Sequence, residues 1–532
     1  MASNKLEMKR IYLITLIVLI FSIQVSAQLD SAKVFFESKV VGATQGYLTQ
    51  WLGYNQYGLL DPNQNDGYLR ASATLPIVKK GLFSVETGLD GILKPHDFDN
   101  SFINQAYATI HFGTISLKGG RYLISEDGFN HELSSGNMFR SINTRPNWRF
   151  GLGIYEFSDL PFTKGYVQVK GFGEVGFLED ERPITDAKYH EKSAYIRSNK
   201  LPINVIIGLN HSVIFDGFRP NGTRLPGNFI EAFFARSALN SGNSADSVNA
   251  AGAHFGLFDI GFEIPLENGS LNLYFHQPIS DRSGFKENFT QNKDYLLGIE
   301  LKLKNHSFLK SILYENIFTL HQSGSGLPDP SINGQFFTLG QLKALDDYDQ
   351  FILDNFGIVT NDATWEEFRA IIERESNNGF DFSGRDDYYN NNQYPRGNSY
   401  YGMQFGNALF TTQERLMRTN NSDGNYRLFF INNRIVAHHF GLKGKIKQYD
   451  FKFLGSLTFN YGTYAGFYGG SRTSLVEDLD YEFRNILSQQ SLLIEVSRKL
   501  NDKLSYEVEL GADFGDFGNN IGLSGSIKYQ LK

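Results

Sequence analysis

The sequence contains no cysteine in 532 residues. This excludes a disulfide framework, and it also excludes a lipoprotein, which needs a cysteine to carry its lipid. Export remains open, because large cores and closed sheets need no such staples. Long apolar runs are missing too: nothing beyond the first thirty residues approaches eighteen consecutive apolar positions, and the mean hydropathy is below zero. That argues against a helical membrane protein, whose spans need about 20 apolar residues each. Positive charge is short: the net charge is −7, and removing Lys5, Glu7, Lys9 and Arg10, which sum to +2, leaves −9. Nucleic acid is therefore excluded as a partner. No HExxH, GxSxG or P-loop occurs, nor any internal repeat of solenoid or propeller-blade period.

What is present begins with a targeting signal. Lys5, Lys9 and Arg10 precede an apolar run from Ile11 to Ile23, followed by Val25-Ser26-Ala27. Basic, apolar and small-residue regions in that order predict a signal peptide over 1–27, cleaved after Ala27. The mature chain, 28–532, reads as a single domain.

Its dominant feature is alternation with period two. Ile521, Leu523, Ile527, Tyr529 and Leu531 fall on one face of the last segment, and Gly522, Ser524, Ser526, Lys528 and Gln530 on the other. Tyr506 to Phe514 repeats the pattern, with Glu507, Glu509 and Asp513 on the polar face. So do Phe451 to Tyr461 and Tyr295 to Leu303. A wall that meets lipid on one side and water on the other requires this pattern. About eighteen such runs are legible, from a long strand near Val34 to Tyr57 through to Ile521–Leu531. The reading is an all-β, transmembrane, antiparallel outer-membrane β-barrel of about eighteen strands in the Gram-negative outer membrane. It is read as a monomer in contact with outer-membrane lipid. Aromatics at 14% suit interfacial girdles.

One segment departs from alternation. Leu339 to Glu375 has helical spacing, with Thr364 as an N-cap and Glu367 three residues on, a capping box. Two short helices are expected inside a long loop insertion, 339–410, which must lie outside the lipid or fold into the lumen. Loops of this length are commonly functional.

Several phrases together resemble the bacteroidete branch of the capsule assembly Wzi family. They include Leu133-Ser134-Ser135-Gly136-Asn137, Asn143-Thr144-Arg145-Pro146, His211, Tyr314-Glu315, and Thr319 with Gln322-Ser323-Gly324. Further on come Asp387-Tyr388-Tyr389-Asn390-Asn391, Gly402, Gly406-Asn407 before Leu409-Phe410, Asn433-Arg434 with Gly441 and Gly444, and Asn460-Tyr461-Gly462-Thr463-Tyr464. The resemblance implies a barrel of about eighteen strands that binds capsular or exopolysaccharide and helps retain or assemble it at the surface, without catalysis.

Sugar recognition needs aromatic rings to stack on pyranose faces and planar polar groups for paired hydrogen bonds. Asp386 to Tyr401 supplies both, with Tyr388, Tyr389 and Tyr394 beside Asn390, Asn391 and Arg396. Glu126 to Arg149 is the second candidate, with Asn137, Arg140, Asn143, Arg145, Trp148 and Arg149. Arg140, Arg145 and Arg149 are suited to carboxylates of an acidic polysaccharide. For Arg145 the alternative is a lumen acid such as Glu86, Asp90 or Glu300. The rival function is a sugar or solute channel whose lumen is lined by Glu507, Glu509 and Lys452.

No cofactor and no metal are called for. Asp61 to Asp66 starts like a calcium loop but has Asp66 where the turn glycine belongs, and reads as a strand-joining turn. His438 and His439 are adjacent, so on a strand they face opposite sides and cannot share an ion.

Overall fold

Alternation sorts side chains to opposite faces of a strand, and here those faces meet different surroundings. In the last strand Ile521, Leu523, Ile527 and Tyr529 are exposed outside, whereas Gly522 and Ser524 are buried inside. The computed structural model describes residues 32–124, 130–236, 251–279, 293–304, 308–322, 331–333, 335–337, 342–375, 387–420, 428–463 and 482–531. The expected signal peptide, 1–27, and residues 126–129, 339 and 386 of the candidate loops lie outside the described residues.

Eighteen strands form one antiparallel sheet. The first six are β1 (Lys33–Ala43), β2 (Asp66–Lys80), β3 (Phe83–Leu93), β4 (Phe102–Phe112), β5 (Ile115–Arg121) and β6 (Trp148–Asp159). Then come β7 (Val167–Phe177), β8 (Lys188–Ser198), β9 (Asn204–Phe215), β10 (Ala253–Leu266), β11 (Gly269–Ile279) and β12 (Tyr295–Leu303). The last are β13 (Leu309–Phe318), β14 (Ile435–Ile446), β15 (Tyr449–Asn460), β16 (Leu487–Lys499), β17 (Leu504–Gly515) and β18 (Asn520–Gln530). Each pairs with its neighbours in sequence, and β1 also pairs with β18, Phe35 facing Gln530 and Ala43 facing Gly522. That closes the barrel and leaves no unpaired edge.

The two rims differ. Where β1 begins and β18 ends, the connections are tight, as at 81–82, 113–114, 267–268 and 447–448. The opposite rim carries 44–65, 122–147, 216–252, 319–434 and 461–486. In bacterial barrels short turns are periplasmic and long loops extracellular, which puts the helix-containing insertion on the extracellular side.

Lumen charges are matched across strands. Lys39 lies 2.7 Å from Glu509 and 3.7 Å from Glu507, and Lys452 is bonded to Glu495. His439 points inward and His438 outward, as their adjacency requires.

The insertion contains the two expected helices, α3 (Tyr348–Phe356) and α4 (Trp365–Glu375). The capping box is present: Thr364 Oγ1 accepts from Glu367 N at 3.3 Å and Glu367 Oε2 accepts from Thr364 N at 3.0 Å. The pair has its own small core of Ile352, Phe368 and Ile372, separate from the barrel. Among the described residues three further short α-helices occur that the sequence does not announce, α1 (Gln50–Gly53), α2 (Phe229–Phe234) and α5 (Gln413–Asn420).

The first strand is a correction. Alternation predicts a strand near Val34 to Tyr57, but it stops at Ala43, and the chain then turns into the barrel. The apolar residues that prolonged the pattern, Leu48, Trp51, Leu52 and Tyr54, are buried in the lumen core instead of facing lipid.

Candidate functional site

Three loops meet inside the extracellular half of the barrel. The first joint is made by Leu133 to Asn137. Glu315, buried on β13, accepts from Ser134 Oγ (2.7 Å), Ser135 N (2.8 Å), Ser135 Oγ (2.6 Å) and the Tyr274 hydroxyl (2.5 Å). On β14, His439 Nε2 meets the Leu133 carbonyl at 2.7 Å. Two residues further along β14, Gly441 leaves room for this approach: a Cβ there would sit 2.5 Å from the same oxygen.

Residues 387–410 and 428–433 pack on or beside that first loop. The Tyr389 hydroxyl donates to Met138 O and accepts from Asn407 N at 3.0 Å. Asn390 mimics a strand partner, donating to Phe430 O at 2.7 Å and accepting from Phe430 N at 3.1 Å. Asn433 donates to Asp387 Oδ1 (2.7 Å) and Tyr388 O (2.8 Å). The Tyr388 hydroxyl donates to Asp294 at 2.7 Å. The third loop, 44–65, joins through Tyr57 N to Ile142 O (2.6 Å) and Gln50 Nε2 to Ala408 O (2.8 Å). Leu133, Met138, Phe139, Tyr389, Phe410 and Phe430 share one buried cluster with wall residues such as Val41, Leu313 and Leu493. These loops form a plug.

Most of the predicted sugar-binding residues are therefore spent on the plug. Asn143 accepts from Asn55 N at 3.1 Å and donates to Gln404 O at 3.2 Å. Asn137 accepts from Phe139 N at 2.7 Å, and Asn391 from Gln393 N at 2.9 Å, each closing a turn. Tyr394 donates to Asp216 O at 3.0 Å. Arg140 is bonded to Glu191, and Arg149 lies 3.0 Å from Glu174. A small cavity of about 70 Å³ remains between Asn137, Phe139 and Arg140 of the plug and wall residues including Glu191, Tyr195 and Asp259.

Two expectations are corrected. The sequence reading puts Trp148 on a binding loop, but it opens β6 on the lipid-facing side with Phe150 and Leu152. Its sequence position next to Arg149 gave no hint of the side, because a strand sends neighbours to opposite faces. Arg145 pairs with none of Glu86, Asp90 or Glu300; Asp90 is taken by Arg70 in a bidentate pair at 2.8 and 2.9 Å.

Arg145 and Arg396 do come together, at the extracellular mouth. There a cavity of about 390 Å³ opens between loops 44–65, 94–101 and 178–187, residue 145, and residues 396–414. Its wall includes Asp61, Asp66, Lys94, His96, Tyr401 and Glu414. Most of its charges are partnered. Asp66 is bonded to Lys94 and lies 3.2 Å from His96, and Glu414 lies 2.5 Å from Arg396. The guanidinium of Arg145 packs on two rings, 3.7 Å from the centroid of Phe102 and 4.1 Å from that of Tyr401. Burial pushes its pKa down to about 10. Lys94, His96 and Asp180 carried no recognisable signal: they fall in short loops whose convergence only the barrel's curvature creates.

The sequence matches no family model and no curated protein. Among solved structures it is similar to Wzi of Escherichia coli, an outer membrane protein involved in group 1 capsule assembly, described as a carbohydrate-binding β-barrel. That match has a TM-score of 0.51 and 12% identity, covering 93% of this chain and 83% of that one. OprD of Pseudomonas aeruginosa gives 0.43 with 9% identity over 96% and 97% of the two chains, and OmpF of Salmonella typhi 0.39 with 8% over 94% and 97%. The likeness to Wzi is one of fold and singles out no branch of a family. The chain has the fold of Gram-negative outer-membrane barrels.

Proposed function

We propose that this chain is a non-enzymatic outer-membrane protein that binds capsular or exopolysaccharide at its extracellular mouth and holds it at the cell surface. The observation that carries this reading is the mouth cavity, set above loops packed into the lumen and lined by aromatic rings, amides and carboxylates. Carboxylates and amides accept and donate hydrogen bonds to sugar hydroxyls, and an exposed tyrosine ring offers a stacking face. Tyr401, 41% exposed at the mouth, is that ring. The similarity of fold to a carbohydrate-binding barrel supports the same reading. On this reading the candidate residues divide: Arg145 and Arg396 face the glycan, while Asn137, Asn143, Tyr388, Tyr389, Asn390, Asn391 and Tyr394 hold the plug beneath it.

The channel reading predicts a different electrical behaviour. The purified protein in a planar bilayer is expected to pass no large steady current, and cells lacking it are expected to shed surface polysaccharide. A steady porin-like conductance, with polysaccharide retained on cells that lack the protein, would overturn the proposal.

A further inference from the structure

Resting on the polysaccharide-binding reading, we propose that the mouth cavity recognises a glycan bearing isolated carboxylates, with Arg145 as the residue that binds the uronate group. The geometry leaves Arg145 little else to do. Its Cζ packs 3.7 Å from the Phe102 ring centroid and 4.1 Å from that of Tyr401, rings that offer its N–H groups no acceptor oxygen there. Among the described residues no carboxylate lies within ion-pair distance of it, whereas Lys94, His96 and Arg396 each have one. Its nitrogens are not among the sealed, unsatisfied donors of the interior, and the residue lines the cavity. A planar cation held against two aromatic rings has two parallel N–H groups to offer, the fork that fits a carboxylate bidentately.

The position is held by backbone as well as rings. Gly58 packs against it with φ of +62°, and a Cβ there would lie 2.4 Å from Arg145 N. Loop 44–65 therefore fixes where the fork points.

The rest of the cavity limits the ligand's charge. Asp61, Asp97 and Glu181 line it without a cation at ion-pair distance among the described residues. Such carboxylates accept from sugar hydroxyls but repel a second nearby anion. One uronate among neutral sugars fits; a polymer charged at every residue does not.

Purified full-length protein in detergent is examined by saturation-transfer NMR with sodium glucuronate and galacturonate, and with glucose and galactose as neutral counterparts. Arg145→Gln and Arg145→Lys are compared with the parent, folding being verified by the shift in gel mobility on heating. The expected result is transfer to the uronates at least tenfold stronger than to the neutral sugars, abolished in Arg145→Gln and partly kept in Arg145→Lys. Equal transfer to charged and neutral sugars, unchanged in Arg145→Gln, would overturn the carboxylate assignment and leave the glycan reading standing. Transfer to none of the four would overturn both. Displacement of bound uronate by an equal concentration of inorganic phosphate would mark a general anion site and overturn the proposal in its carboxylate form.

Discussion

Glu315 Oε2 accepts twice from one residue, from Ser135 N at 2.8 Å and from Ser135 Oγ at 2.6 Å, and this is where the plug is fastened to the wall. A buried carboxylate costs free energy unless its lone pairs are filled, and here the loop and Tyr274 fill them. Glu315→Ala leaves these donors without an acceptor, at roughly 1–3 kcal/mol for each that water does not reach. The residue's side chain takes no part in the strand ladder, so the barrel is expected to survive. Planar-bilayer recording is expected to show intermittent current steps in Glu315→Ala that the parent lacks.

Which parts were legible in the sequence follows from what each part depends on. The wall is a repeating local rule, lipid on one face and lumen on the other, so Ile521 and Ser524 declare their sides without knowledge of any partner. The α3–α4 hairpin was legible for the same reason, since the Thr364–Glu367 box is local. The 44–65 loop misled because Leu48, Trp51 and Leu52 are apolar for the lumen core, and composition does not distinguish that from lipid. The phrases that carry the family resemblance are largely joints of the plug: Ser134, Ser135, Asp387, Tyr389, Asn407 and Asn433 all make buried hydrogen bonds there. The asparagines and tyrosines expected to meet sugar have their polar atoms engaged in these joints. The mouth cavity depends on five segments distant in sequence, and no local pattern announces it.

Gly58 tests the cavity without touching its polar groups. A methyl at this position collides with the backbone of Thr144 and Arg145 and occupies a left-handed conformation that alanine resists. The strain is roughly 1–3 kcal/mol. Gly58→Ala is expected to weaken glycan binding at least tenfold with the heat-modifiable barrel intact. Unchanged binding would mean that the placement of Arg145 is not needed.

Tyr389 and Trp148 separate plug from ligand site in another way. Tyr389→Phe removes a hydroxyl bonded to Met138 O and Asn407 N, both buried, and is expected to cost about 1–3 kcal/mol of plug stability. The measurement is the midpoint of loop proteolysis in increasing denaturant. Trp148→Ala lies on the lipid-facing side and is expected to leave both that midpoint and glycan affinity unchanged. A loss of affinity in Trp148→Ala alone would return the site to the outer rim.

The pH dependence of binding has a sign fixed by Arg145. Its pKa falls from the usual 12.5 to about 10 because burial disfavours the charged form. The guanidinium is thus charged at neutral pH and loses its proton as pH rises through about 10. Uronate affinity is expected to be flat from pH 7 to 9 and to fall above 10, while affinity for a neutral sugar stays level. The stability of the ligand-free protein moves the other way: a depressed basic pKa means the charge is worse off in the fold than in the unfolded chain. The fold therefore gains relative stability between about 10 and 12.5, as the buried group becomes neutral. Lys94, also pulled down by burial and bonded to Asp66, titrates in the same direction. Arg145→Gln measured in parallel isolates the contribution: its uronate binding is expected to be lost at every pH between 9 and 11. Residual binding in Arg145→Gln that falls over the same range as in the parent would mean that Arg145 is not the group whose titration governs binding.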